Sequence, residues 1–145
     1  MHNNRIQAIE VAAAVVVHDN KVLLARREGG DLHELWEFPG GKLERNETAA
    51  HAAERELAEE LDIRILAGET LLVLEHQYPD KLVRLHFVAC TLTDEHATCL
   101  DKTIANPSAD WFAPAEFPLA DFCPADKIAA GKLPWQKIIK TEEKK

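Results

Sequence analysis

No stretch of this 145-residue chain approaches the roughly 18 consecutive apolar residues that a membrane span needs. The first residues, Met1-His2-Asn3-Asn4-Arg5, lead into no signal-like apolar segment. Cysteines are few: Cys90, Cys99 and Cys123 are odd in number, widely spaced and without a Cys-x-x-Cys pair. They fit core packing in a reducing compartment better than disulfides or zinc, so the expected location is the cytoplasm. Basic residues are outnumbered, 17 against 25 acids, for a net charge of −8. A binder of phosphate polymers needs a basic stripe, so neither a nucleic-acid polymer nor a membrane is an expected partner. A small phosphorylated ligand stays open, because a metal ion can supply local positive charge. The glycine-lysine phosphate loop, Gly-x-Ser-x-Gly and the dinucleotide fingerprint are all missing, and Gly29-Gly30 alone is too weak to cradle phosphate. The histidines at 2, 18, 33, 51, 76, 86 and 96 show no zinc-ligand spacing; His86 reads as a satisfied structural histidine.

What is present suits one α/β domain spanning 1–145. The length can bury a real core, and the 46% hydrophobic content is ordinary for a globular protein. Residues 9 to 17 are small and β-branched, a buried strand; 21 to 25 return as its partner after His18-Asp19-Asn20. Residues 28 to 34 read as a loop and 36 to 38 as a short strand. Strands are expected over 65 to 76 and 82 to 92, around Tyr78-Pro79-Asp80, with a last short strand at 109 to 112. Residues 93 to 108 look irregular. Short helices are expected at 114 to 117 and 124 to 130, and the charged tail after about residue 134 is expected to fray. Trp36 and Trp111 read as core anchors.

The most informative segment runs from Gly40 to Ile63. Gly40-Gly41 is followed by Glu47 and then Arg55-Glu56-Leu57-Ala58-Glu59-Glu60-Leu61-Asp62-Ile63. If 47 to 61 is helical, capped by Asn46 or Thr48, Glu56, Glu59 and Glu60 share one face. Ala50, Ala53, Leu57 and Leu61 form an apolar stripe about 100° away. The acids therefore face a cleft sideways. Taken alone, three acids at this spacing are more often a solvated face. The apolar anchor, the glycine turn and Arg55 shift the reading toward a hard divalent cation, which takes oxygen ligands.

The pattern Gly41, five residues, Glu47, seven residues, then Arg-Glu-Leu-x-Glu-Glu-x-x-Ile resembles the Nudix box of the Nudix hydrolases. The flanks Leu35-Trp36-Glu37-Phe38-Pro39-Gly40-Gly41 and Pro124-Ala125-Asp126 look most like the MutT-type nucleoside triphosphate pyrophosphohydrolases. The resemblance runs from about residue 9 to about 132. It implies an α/β/α sandwich, a mixed β-sheet between helices, and hydrolysis of a nucleoside triphosphate to monophosphate and pyrophosphate. It also implies Mg²⁺ as cofactor, with Mn²⁺ as substitute, held by Glu56, Glu59, Glu60 and the carbonyl of Gly41. Either Glu56 or Glu59 would deprotonate water. Arg55 and Glu47 would fix the ligating acids. One departure is Asp62, where the family usually has glycine; aspartate tolerates left-handed backbone, so a small stability cost is expected. Many relatives carry a further acid about six residues before a tryptophan. Counting back from Trp111 gives Ala105, with Asp101 or Asp110 as substitutes.

For the substrate, the resemblance implies that Phe38 packs on the nucleobase and that Leu85 lines the same pocket, although core packing is equally good for Leu85. Arg27 and Lys81 would contact phosphates or the base rim, against solvated charge as the plain alternative. Asp126 would read the base edge, against a helix N-cap as the alternative. A carboxylate there accepts from an amino group such as cytosine's, or donates when protonated. The expected substrates are modified or oxidised nucleotides, 8-oxo-dGTP or cytosine nucleotides among them, handled by a monomer or homodimer. The rival readings are a hydrolase of nucleotide sugars or dinucleoside polyphosphates, as of ADP-ribose, and a non-catalytic base-recognition module.

Overall fold

The computed structural model describes residues 7–27, 32, 34–93 and 108–139. Along them run β1 (Ala8–His18), β2 (Lys21–Arg26), β3 (Trp36–Glu37), β4 (Gly40–Lys42), α1 (Ala49–Leu61), β5 (Ile65–Tyr78), β6 (Lys81–Leu92) and β7 (Ala109–Phe112). Two 3₁₀ turns, Pro114–Glu116 and Leu119–Asp121, precede α2 (Pro124–Lys132) and a single helical turn, α3 (Trp135–Ile138). The expectations for the strands and the acid helix hold to within a few residues. The helix starts at Ala49, and Thr48 rather than Asn46 caps it, its hydroxyl accepting from the His51 amide at 3.0 Å. Such a cap is worth about 1 kcal/mol. At the far end Asp62 adopts φ 55°, ψ 39° and its N–H bonds the Leu57 carbonyl. Aspartate thus serves where glycine would be less strained.

β1 organises the sheet. Along one edge it runs parallel to β6, from Ala8 opposite Leu82 to Val16 opposite Cys90, and β5 pairs antiparallel beyond. The other edge is divided. Val11 to Ala13 face β4, while Val17 and His18 face β2, which carries β3 and β7. Between the two, the Ala14 amide donates to the Pro39 carbonyl at 2.7 Å. The sheet therefore forks where Phe38-Pro39-Gly40-Gly41 passes.

Both faces of β1 are covered, which is why its sequence is an unbroken apolar run. Ala12, Ala14 and Val16 pack with Val88, Cys90 and the Ala52, Ala53 and Leu57 stripe of α1. Ala13 and Val15 pack with Val83, Leu85, Phe87 and the C-terminal segment: Phe117, Phe122, Ala125, Ala129 and Leu133. The result is a mixed sheet between helical layers.

The C-terminal tail departs from expectation. Residues 135 to 139 do not fray: Trp135 stacks near Phe38 (centroids 6.3 Å, 29°), meets Phe117 edge-on at 5.4 Å, and donates its Nε1–H to the Ala130 carbonyl at 2.8 Å. Tail charge hid this, because one aromatic anchor outweighs several solvated lysines. Residues 140–145 lie outside the described residues. Trp135→Ala is expected to lower stability by about 2–3 kcal/mol, less than a fully buried tryptophan because the residue is only partly buried. Urea unfolding would show this as a lower midpoint at unchanged slope; a shift equivalent to under about 0.5 kcal/mol would mean a loose tail.

Candidate active site

The site grows from the glycine turn. A side chain on Gly40 would lie 1.9 Å from the Ala12 carbonyl oxygen, so only glycine lets β4 pair with β1. A side chain on Gly41 would meet the Glu56 carboxylate at 2.3–2.6 Å. Its absence lets that carboxylate lie directly against the β4 backbone.

Arg55 organises the acids. Its Nε donates to Glu47 Oε2 at 2.7 Å and its Nη2 to Glu47 Oε1 at 2.9 Å, a bidentate fork. Nη2 also donates to the Lys42 carbonyl at 3.0 Å. Nη1 reaches Glu56 Oε2 at 3.1 Å and Glu59 Oε1 at 3.3 Å. Glu47 Oε1 accepts further from the Glu44 amide at 2.8 Å. Hydrogen bonds from Arg55, then that amide, hold the Glu47 carboxyl down at about 2. Glu47 is thereby a fixed anion, and the arginine's remaining nitrogens are aimed along the helix.

Glu60 behaves oppositely. As a residue it is exposed, yet its carboxyl end is partly desolvated. That desolvation first, then the Glu56 charge and hydrogen bond, then Glu37 and Glu59, push it up to about 7. Acidity weakened by crowded carboxylates marks a place where added positive charge would be favourable. Glu56, Glu59 and Glu60 carry only oxygen donors, the ligand type a hard divalent cation takes, and Glu56 is the one placed against Gly41.

A second cluster lies beside it, assembled from distant segments. Arg27 Nη1 bonds Glu37 Oε1 at 3.2 Å. The Phe38 amide donates to Asp126 Oδ1 at 3.1 Å. Asp126 is buried, 5% exposed, and burial, with Glu37 next, pushes its carboxyl up to about 8. Burial also raises Glu37, and lifts the Cys123 thiol to about 12. Lys81 Nζ sits 5.5 Å over the Tyr78 ring, and Tyr78 in turn feels Asp126, Cys123, Arg27 and Glu37. Glu37 acts on both clusters, since its charge raises Glu60 and Asp126 alike.

Several sequence expectations change in this light. Asp126 is no N-cap: Cys123 holds that place and Asp126 is the third residue of α2, turned inward onto Phe38. Phe38 offers no open ring face. It is 3% exposed, surrounded by Phe87, Phe117, Phe122 and Trp135 at 5.7–6.3 Å. Leu85 is buried in the same cluster. Asp110 sits on β7, its carboxylate accepting from the Trp111 amide at 2.8 Å. Asp101 and Ala105 lie outside the described residues. His86 is satisfied by Glu10 at 2.7 Å, as expected. Glu37, Tyr78, Cys123 and Trp135 were not singled out by sequence reasoning. Only Glu37 carried a signal there: between inward Trp36 and Phe38, strand alternation must turn it to the opposite face.

Comparison with known proteins agrees. The NUDIX domain family model matches residues 8–132. The CTP pyrophosphohydrolase of Escherichia coli (strain K12) is 37% identical over 125 residues, covering 83% of this chain and 87% of that protein. The 8-oxo-dGTP diphosphatase of Proteus vulgaris is 36% identical over 98 residues, 63% of this chain and 88% of that one. Among solved structures, the MutT protein of methicillin-resistant Staphylococcus aureus 252 superposes with a TM-score of 0.66 at 36% identity, covering 88% of this chain and 96% of that one. The chain belongs to the Nudix hydrolase family, on its MutT-like branch.

Proposed function

We propose that this enzyme hydrolyses nucleoside triphosphates to monophosphate and pyrophosphate with Mg²⁺, and that it selects the base through Glu37 and Asp126. The observation that carries the first part is the Glu56 carboxylate lying against side-chain-free Gly41 while Arg55 spans Glu47, Glu56 and Glu59. Nudix hydrolases generally depend on a divalent metal. In this reading Glu56, Glu59, Glu60 and the Gly41 carbonyl hold Mg²⁺, or Mn²⁺ in its place. The bound ion supplies positive charge to phosphoryl oxygens and lowers the pKa of water. Arg55, fixed by Glu47, keeps Glu56 and Glu59 aimed. Either of those two takes the proton of the attacking water. Arg27 and Lys81, on the rim near Glu37 and Tyr78, steer the anionic chain.

The base reading rests on the acid pair of buried Asp126 and half-buried Glu37. At neutral pH Asp126 keeps its proton and can donate, while Glu37, held by Arg27, accepts. A donor beside an acceptor matches an edge with a ring acceptor next to an amino donor, which cytosine presents. The cytosine nucleotide named for the 37% identical relative supports this choice. The net charge of −8 supports free nucleotides over polymers. Among the described residues no helix is long and apolar enough to cross a membrane, which is compatible with the cytoplasm as its working place.

Pyrophosphate release across canonical, oxidised and methylated triphosphates, with ADP-ribose as control, tests the reading. Metal-dependent release, fastest with cytosine, is expected; hydrolysis of ADP-ribose alone would refute it. Glu56→Gln or Glu59→Gln should cut kcat by about 10²- to 10⁴-fold with the protein still folded. An unchanged kcat in both would eliminate the acid-helix mechanism. Asp126→Asn keeps the bond from the Phe38 amide but cannot titrate. It should alter preference among bases, whereas equal loss on all bases would reduce Asp126 to a structural role. The folded state holds a proton on Asp126 that the unfolded chain has released between its ordinary value of 3.8 and about 8. Stability from this group therefore falls as pH rises through that window. Asp126→Asn should gain on the wild type from pH 5 to pH 8 in thermal unfolding; parallel curves would contradict the raised value.

A further inference from the structure

The cluster beside the acid helix has a chemistry that phosphate hydrolysis does not use. Glu37, Cys123 and Asp126 each offer one ligand atom, and the three lie within 4.8 Å of one another. Cys123 is 1% exposed and Asp126 5%. The thiol's contact with Glu37 Oε1, at 4.0 Å, is long for a weak donor and holds it little. Among the described residues Arg27 is the cation that pairs with this cluster, through the same Oε1 at 3.2 Å. We infer that Glu37, Cys123 and Asp126 form a second, thiophilic metal site that takes Zn²⁺ or Cd²⁺ and closes the base pocket.

The argument is one of charge and ligand type. With all three groups ionised, one guanidinium faces three anions, and a divalent cation cancels the remainder. Protons are the other way to discharge the pocket, and they fill it when no soft metal is present: burial holds Cys123 as a thiol and Asp126 as an acid. Metal and protons therefore compete for the same atoms. A tetrahedral zinc with bonds of about 2.3 Å to sulfur and about 2.1 Å to oxygen holds its ligands about 3.5 Å apart. Small side-chain rotations of Glu37 and Cys123 close the present spacing. Two hard and one soft donor favour zinc over magnesium, so the two sites of this enzyme sort their metals. A fourth ligand would come from water, and the base is proposed to bind at the same Glu37 and Asp126. Occupation would exclude the base and inhibit.

Calorimetry of the whole protein with Zn²⁺ and with Cd²⁺, in saturating Mg²⁺ to fill the acid helix and without nucleotide, tests the site independently of any substrate. One equivalent should bind, with a thiolate-to-Cd²⁺ charge-transfer band in the ultraviolet. Repeating the titration in buffers of different ionisation enthalpy should show release of about two protons at neutral pH. Cys123→Ser should abolish the band, and both it and Glu37→Gln should weaken binding by more than about tenfold; thermal unfolding checks that each variant is folded. Wild-type affinity in Cys123→Ser, or binding without a thiolate band, would overturn the inference. A competition arm rests on the base-recognition reading. Metal that binds as above yet fails to raise the KM for triphosphate would leave the site standing and displace the base from it.

Discussion

The bidentate pair between Arg55 and Glu47 is the constraint from which the catalytic half of the molecule follows. A helix carrying Glu56, Glu59 and Glu60 on one face is unfavourable by itself, since each close pair repels. Arg55 lies on the same helix and would be a floppy cation if left alone. Glu47 sits on the approach to the helix, outside its first turn, and locks the guanidinium at 2.7 and 2.9 Å. A third contact, to the Lys42 carbonyl, ties the same group to the glycine strand. One side chain thus fixes the turn, the helix and two of the acids relative to each other. Glu60 lies outside its reach and retains the crowding, which is where the missing positive charge shows.

This arrangement works only because β1 forks. The strand needs β6 along the whole of one edge and two different partners along the other, and the glycine turn fills the change-over. Gly40 is forced by the Ala12 carbonyl, Gly41 by the Glu56 carboxylate. The same backbone passage carries Phe38, whose amide holds Asp126. The four residues Phe38 to Gly41, running from the end of β3 into β4, therefore join the metal-binding candidate to the base-reading candidate.

What the sequence disclosed follows how local each feature is. The acid face, the Thr48 cap and the left-handed Asp62 are decided within a few residues, and periodicity or a known capping preference reveals them. The box motif fixed the fold by resemblance for the same reason, since its residues are contiguous. The burial of Phe38 was not legible because aromatic character says nothing about which neighbours surround a ring; four aromatics from distant segments surround it. Trp135 was hidden in a charged tail. Asp126 carried an N-cap signal that the helix start at Pro124 removed. Glu37 and Cys123 meet across 86 residues, and no spacing rule reaches that far.

The two clusters answer one physical problem in two ways. Burying or crowding carboxylates without compensation is costly, so something must neutralise them. On α1 the answer is a fixed arginine and an open oxygen set. In the second cluster burial favours the protonated forms of Asp126 and Cys123, while Arg27 pairs with Glu37. A proton is the more useful occupant for recognition: it turns an acceptor into a donor and gives the pocket two unlike groups where two carboxylates would offer only one kind. Glu37 then couples the sites, because any base that draws its charge away relieves Glu60 as well. On the proposed base reading, base binding at Glu37 and metal binding on α1 are electrostatically favourable together, without any moving part between them.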